Sequence, residues 1–131
     1  PVINENDSVS VDEIKIGDND TLAALTATLW NADLMIILSD IDGVFDSDPK
    51  SNSNAKLIET VGNAEKLFGS IDIGGTSSFG TGGISSKIEA AAKVNQYGIP
   101  MILLNGKKTD IIRNCITGTS KGTLFTGRIE K

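Results

Sequence analysis

The stretch that most constrains how this chain can fold is rich in glycine and hydroxyl residues and runs from Gly74 to Lys87. An alanine-rich segment, 88–97, follows directly and predicts a helix. Glycine-rich backbone can present a row of free N–H groups, and a helix N-terminus beside it adds partial positive charge. Lys87 falls in the first turn of that helix, where a cation is unfavourable unless an anion offsets it. The stretch therefore predicts an anion site, most simply for phosphate.

The same residues have a second interpretation, a flexible Gly/Ser linker ahead of an ordinary helix with Lys87 solvated. The motif at 80–87 also differs in its glycine spacing from the Walker A sequence. A nucleotide site here would thus be of another kind.

Composition limits the classes of function. The chain has 131 residues, of which 39% are hydrophobic, enough for one domain or part of one. A net charge of −5 argues against a nucleic-acid surface, and no long apolar run or signal peptide indicates a membrane partner. The single Cys115 cannot form an internal disulfide, which fits a reducing cytoplasm. Histidine is absent, so any chemistry must use carboxylates, Lys, hydroxyls and backbone groups, as phosphoryl transfer can.

Apolar runs and helical periodicity predict an alternation of strands and helices. Strands are expected at the chain start (1–3) and over 34–38, 57–61, 100–104 and 123–126, a hairpin or irregular excursion over 41–49, and helices over 21–30, 63–68, 84–97 and 110–115. The strands at 34–38 and 100–104 are apolar throughout, which indicates burial on both faces. The alternation predicts an α/β fold with right-handed βαβ units on a mainly parallel sheet and no second domain.

Helix faces and ends can also be predicted. In the helix over 21–30, Leu22, Leu25, Leu29 and the intervening alanines fall at helical spacing. In the later helix, one apolar face is formed by Ile84, Ile88, Ala91 and Ala92. Gly98 is expected to end that helix. Side-chain caps are predicted for the two short helices, from Asn63 and Thr109.

Polar groups gather where ligands bind in open α/β sheets, at the carboxyl ends of strands. Residues 4–7 follow the first strand, and Ser39-Asp40 follow the second. Before the first helix, residues 18–20 (Asp-Asn-Asp) supply more groups than one cap requires, which leaves the surplus for a ligand. The alternative is a solvated turn with one capping side chain.

Four parts of the chain together resemble the amino-acid kinase family. They are 1–7 with 17–20, 38–49, 80–87, and 122–125. The resemblance covers essentially the whole chain, and it implies a three-layer αβα sandwich with a mainly parallel sheet. It further implies that 1–131 are the C-terminal, nucleotide-binding part of such a kinase domain, which would be incomplete without a preceding half that carries a Lys-x-Gly-Ser phosphate loop.

The activity that this resemblance implies is phosphorylation of the γ-carboxylate of L-glutamate by ATP with Mg²⁺, the first step of proline biosynthesis. It also implies proline as a feedback inhibitor, a homo-oligomer, and neither nucleic acid nor membrane as a partner. The chain by itself is expected to be inactive. Two other interpretations stay open, namely a family member that acts on another carboxylate or on carbamate, and a non-catalytic ligand-binding or oligomerisation module.

The resemblance carries roles to individual positions. Lys87 would face the transferring phosphoryl group, and Asp20 would organise the catalytic lysines. Asp7 and Asn19, with Asn4 close by, correspond to residues that hold glutamate. The ATP-binding segments correspond to Ser39, Asp40, Thr81, Gly82, Gly83, Ile84, Ser85, Ser86 and Lys87, where Ile84 and Ser86 replace the more frequent Met and Thr.

Overall fold

The structure is a computed structural model that describes residues 1–3, 19–68 and 83–126. Its elements in chain order are α1 (Asn19–Trp30), β1 (Met35–Ser39), β2 (Thr60–Val61), α2 (64–68), α3 (Gly83–Asn95), β3 (Met101–Asn105), α4 (Ile111–Ile116) and β4 (Thr123–Phe125). The predicted polar loop at 4–7 and the glycine stretch through Gly82 lie outside the described residues. No helix in the described ranges is long and apolar enough to cross a membrane.

The described strands form one sheet with the order β1-β3-β4-β2. β1 pairs with β3 and β2 with β4 in parallel, whereas β3 and β4 are antiparallel. The predicted α/β fold with a mainly parallel sheet is confirmed, and the antiparallel pair in its middle is a feature that the sequence pattern did not indicate.

A row of buried side chains crosses the sheet. Met35 is opposite Met101, Met101 is opposite Phe125, and Phe125 is opposite Val61, so that each strand contributes one residue. All four are at most 8% exposed. Because side chains alternate between the two faces of a strand, this row fixes which face of the sheet carries the main core.

Helix α3 packs on the sheet as its periodicity predicts. Ile84, Ile88 and Ala91 are 0–3% exposed and belong to the main core. Gly98 follows the helix with φ of +77° and donates its N–H to the carbonyl of Asn95. A left-handed residue at this position ends a helix at least cost when it is glycine.

Of the apolar residues at helical spacing in α1, the alanines and not the leucines provide the most buried positions. Leu25 is 48% and Leu29 is 80% exposed, whereas Asp20, Ala24 and Ala27 are buried. The buried residues also recur at helical spacing, and α1 packs against the alanine-rich α3. Small side chains allow two helices to approach closely, so the packing partner selected the small face over the large one.

The edges of the sheet differ from prediction as well. Residues 1–3 form no strand, and Val2 is 99% exposed, because among the described residues this segment has no partner strand. β1 is present, but Leu38 is 52% exposed and Ile36 is half-buried. β1 is the outermost strand in the described sheet, so one of its faces is only partly covered.

The two short helices begin differently. Asn63 caps α2 as predicted, because its Oδ1 accepts the N–H of Lys66 at 3.0 Å. The predicted cap of α4 by Thr109 is wrong, since Asp110 occupies the cap position with φ of 55° and makes no side-chain capping hydrogen bond. Asp tolerates this left-handed conformation better than most residues. The helix therefore begins after Asp110 without a side-chain cap.

The excursion after β1 forms a hairpin-like arm, in agreement with the prediction. Phe45 and Leu57 form an antiparallel bridge, and the N–H of Asp46 donates to the carbonyl of Lys56 at 2.9 Å. The arm therefore leaves the sheet after β1 and returns along itself before β2.

Candidate active site

The sheet topology brings two helix N-termini to one edge. α1 joins β1 through 31–34, and α3 joins β3 through 96–100. Because each connection is short and each helix packs beside the strand that follows it, the helix N-termini lie at the edge where β1 and β3 end. In open α/β sheets this edge is the usual place for a ligand.

Three polar side chains meet at that edge. Lys87, in the first turns of α3, places Nζ 3.1 Å from Oδ2 of Asp20, the second residue of α1. The hydroxyl of Ser86 donates to the same Oδ2 at 2.8 Å. The side chains of Lys87 and Asp20 are only 16% and 12% exposed, so the ion pair is largely shielded from water.

Within the chain, the Asp20 carboxylate offsets the charge of Lys87, because it accepts hydrogen bonds from Lys87 and Ser86. The phosphate expected at this helix start and the ligand-binding groups expected at 18–20 stay predictions. A largely buried ion pair contributes little net stability because its desolvation is costly. What it does provide is a fixed position for the Lys87 ammonium group.

The segment after β1 is tied to the segment after β3. Ser39 is opposite Asn105 in the parallel register, and the N–H of Gly106 donates to the carbonyl of Ser39 at 2.8 Å. The Ser39 hydroxyl donates to Oδ1 of Asp40 at 3.3 Å. Ser39 and Asp40 thus lie at the same edge as Asp20 and Lys87, on the neighbouring element.

A second polar cluster at this edge was missed by the sequence reasoning. Oδ1 of Asp42 accepts from Nδ2 of Asn105 at 3.0 Å and from Nζ of Lys108 at 3.0 Å. The hydrogen bond from Asn105, then that from Lys108, lower the pKa of Asp42 below its usual value of 3.8. The available signal was that Asp42 and Asn105 each follow a predicted buried strand, and such strand ends converge at one edge.

The remaining predicted site residues are placed as follows. Asn19 begins α1 and is exposed beside Asp20. Gly83 begins α3, and Ser85 is half-buried in its first turn. Ile84 is 3% exposed in the core, so only its backbone is available to a ligand. The other predicted residues, Asn4, Asp7, Thr81 and Gly82, lie outside the described residues.

Comparison with known proteins gives the same family as the sequence motifs. Residues 1–105 match the amino acid kinase family. A relative named glutamate 5-kinase from Alkaliphilus metalliredigens (strain QYMF) is 59% identical over 95% of this chain and 47% of its own length. Another of that name, from Alkaliphilus oremlandii (strain OhILAs), is 58% identical over 95% of this chain and 48% of its own length. The chain spans about half the length of these curated relatives.

Solved structures agree on the fold. The crystal structure of UMP kinase from Bacillus anthracis superposes with a TM-score of 0.59 over 86% of this chain and 41% of the other, at 21% identity. At that identity the likeness concerns the fold alone. Since the family match covers most of the chain and the two sequence relatives cover nearly all of it, the chain belongs to the amino acid kinase family.

Proposed function

We propose that residues 1–131 form the C-terminal, nucleotide-binding part of a kinase domain that transfers a phosphoryl group from ATP to the γ-carboxylate of L-glutamate. The product, glutamyl 5-phosphate, opens proline biosynthesis. The single observation that carries this proposal is the largely buried Lys87–Asp20 pair, with Nζ and Oδ2 3.1 Å apart at the N-termini of two helices. The 59% identity to a relative named glutamate 5-kinase supports the choice of substrate.

The chemistry fits the residues at this edge. A carboxylate is already a nucleophile at neutral pH, so the reaction requires no general base and no histidine. What it requires is that two anions be brought together and that charge on the transferring group be stabilised. Lys87 would supply a positive charge to that group, while Asp20 would keep the ammonium group in place rather than accept a proton.

The nucleotide would bind over the N-terminus of α3. Backbone N–H groups from 81–84 would cradle its phosphates at the positively polarised N-terminus of α3. Ser39 and Asp40 would contact it from the end of β1. Lys87 would then approach the phosphoryl group from the side of α3.

Mg²⁺ would enter with the nucleotide. Within the described ranges, no group of three or more His, Cys, Asp or Glu side chains is arranged to hold a metal ion. Mg²⁺ in kinases commonly keeps several waters and binds substrate phosphate oxygens with one or two protein carboxylates. The ion would neutralise charge on those oxygens.

Glutamate would be held by the polar groups that precede α1. Asn19 is exposed at the start of that helix, one residue from Asp20. We propose that Asn19 and Asp7, with Asn4 nearby, bind the substrate, where Asp7 would pair with its amino group. On the basis of the family resemblance, we also propose that proline inhibits the enzyme, that the protein is a homo-oligomer, and that it is located in the cytoplasm.

The experiment that tests the proposal measures ADP release by the full-length gene product with L-glutamate, L-aspartate, N-acetyl-L-glutamate or carbamate as acceptor. Hydroxylamine in the same assay traps an acyl phosphate as a hydroxamate. We expect release that depends on glutamate, with the hydroxamate as product. Release with another acid alone would favour a different kinase of the family, and release with none would favour a non-catalytic module.

The same assay applied to the 131-residue chain by itself tests whether this part is sufficient. Phosphoryl transfer needs positive groups on both sides of the moving phosphate, and the described residues offer Lys87 on one side. We expect no turnover from the chain alone. Glutamate-dependent turnover by a mass-verified 131-residue chain would contradict this expectation.

A further inference from the structure

Thr123, at the start of β4, is a buried hydroxyl residue with two backbone partners from distant parts of the chain. It is 0% exposed. Its Oγ1 donates to the carbonyl of Ile58 at 2.7 Å and accepts the N–H of Val44 at 2.9 Å. Both partners belong to the arm that follows β1. One side chain therefore fixes both the outgoing and the returning limb of that arm.

The backbone packs closely around Thr123 at two glycines. Gly43 has φ of +154°, and a Cβ placed there would lie 2.5 Å from Oγ1 of Thr123. A Cβ on Gly122 would lie 2.2 Å from the carbonyl oxygen of Leu103. Glycine is thus required at both positions. The backbone at Gly43 packs directly against the Thr123 side chain, and the backbone at Gly122 packs directly against β3.

The same segment is held on the other side of Gly43 by Asp42. Its carboxylate accepts from Asn105, the last residue of β3, and from Lys108, just beyond that strand, at 3.0 Å each. The short segment 39–44 therefore has anchors at Ser39 and Asp42, both made to the end of β3, and an anchor at Val44, made to the start of β4.

We propose that Thr123 and Asp42 are positioning residues for the nucleotide site, because together they fix the segment that carries Ser39 and Asp40. This inference rests on the proposed function, in which Ser39 and Asp40 contact the nucleotide. Neither Thr123 nor Asp42 needs to touch the nucleotide itself. Their effect is to hold the binding segment in its bound arrangement before the ligand arrives, which lowers the ordering cost of binding.

Removing the Thr123 hydroxyl has a defined local consequence. The variant Thr123→Val keeps the size and branching of the side chain but leaves the N–H of Val44 and the carbonyl of Ile58 without their buried partner. Buried backbone groups are rarely left unpaired. We therefore expect the 41–44 backbone to move toward water or an alternative partner, and Ser39-Asp40 to move with it.

The test compares variants of the full-length gene product. Affinity for the non-hydrolysable analogue AMP-PNP is measured by calorimetry without glutamate, and KM for ATP and kcat are measured with glutamate. Thr123→Val is expected to weaken AMP-PNP binding and raise KM for ATP by about tenfold, equivalent to ~1.4 kcal/mol, while kcat changes little. Thr123→Ser, which keeps the hydroxyl, should restore both values.

The matched control is Thr126→Val. Thr126 is a half-buried threonine just after β4, at the opposite edge from the end of β3, and its hydroxyl donates only at 3.4 Å to the carbonyl of Val61. The Thr126→Val variant should therefore have the same AMP-PNP affinity as the wild type. Asp42→Ala provides a second approach through a half-exposed side chain, in case Thr123→Val does not fold. It should weaken AMP-PNP binding several-fold.

Unchanged AMP-PNP affinity in a folded Thr123→Val protein with a lowered melting temperature would overturn the proposal and leave Thr123 a purely structural residue. Unchanged affinity in Asp42→Ala would overturn it as well. If the wild-type protein binds AMP-PNP but does not phosphorylate glutamate, the proposed function fails while the affinity comparison still decides the positioning role.

Discussion

Lys87 and Asp20 are 67 positions apart in the chain, yet Nζ and Oδ2 lie 3.1 Å apart where α3 and α1 begin. The packing of α1 against α3 makes this contact possible, because it brings the two helix starts together. Ser86 donates to the same carboxylate oxygen. The position of the Lys87 ammonium group is thus set by tertiary packing.

Replacing Lys87 by Ala should abolish most of the phosphoryl transfer. Loss of one group that stabilises transition-state charge lowers kcat by about 100-fold or more. The measurement is steady-state ADP release by the full-length gene product with L-glutamate. Lys93→Ala is the control, since Lys93 lies on the same helix, half-exposed and paired with Glu89. Near-normal turnover of Lys87→Ala would remove Lys87 from the mechanism.

Replacing Asp20 by Asn should act through Lys87. The substitution keeps the shape of the side chain but removes the charge that holds the ammonium group, so kcat should fall while KM for ATP changes little. The double variant Asp20→Asn/Lys87→Ala should be no slower than Lys87→Ala alone, because residues that act as a unit are not additive. Additive losses would show that Asp20 acts independently of Lys87.

Replacing Asn19 by Ala should separate substrate binding from helix capping. Asn19 is exposed at the first position of α1, and the preceding residue in the sequence, Asp18, is of a type that caps helices. We expect KM for glutamate to rise strongly with little change in melting temperature. If instead the free energy of unfolding falls by about 1 kcal/mol and glutamate kinetics stay unchanged, Asn19 has a structural role only.

Replacing Asp42 by Asn should destabilise the protein in a pH-dependent way. Asn105, and after it Lys108, lower the pKa of Asp42 below 3.8 in the folded protein. A lowered carboxyl pKa stabilises the fold above the unfolded-state pKa, and this contribution disappears as the pH falls through the folded-state pKa. The difference in denaturant midpoint between wild type and Asp42→Asn should therefore be present at pH 7 and shrink below about pH 4. A pH-independent difference would contradict this assignment.

The local structure of the second half of the chain could be predicted from the sequence. Ile84, Ile88 and Ala91 recur at helical spacing, and Gly98 permits the left-handed turn that ends the helix. The cap of α2 by Asn63 is likewise local. Such features are set by residues within a few positions of one another, so periodicity and turn chemistry suffice to find them.

The candidate site was predicted only in outline. Local pattern placed Ser39 and Asp40 at a strand end, and the family resemblance linked Asp20 to Lys87. The burial of Ala24 instead of Leu25, the antiparallel pairing of β3 with β4, and the cluster of Asp42 with Lys108 did not follow from the pattern. Each depends on which distant surface packs against the residue.

What the sequence by itself determined is therefore the set of elements and the chemical groups at their ends, because propensity, capping and periodicity act over short distances along the chain. Tertiary structure alone decided which of two equally periodic faces of α1 is buried, and it decided that Thr123 fastens both limbs of the arm after β1. Contacts between residues far apart in the chain leave no periodic trace in the sequence. They follow from close packing of complementary surfaces, which exists only once the elements have assembled.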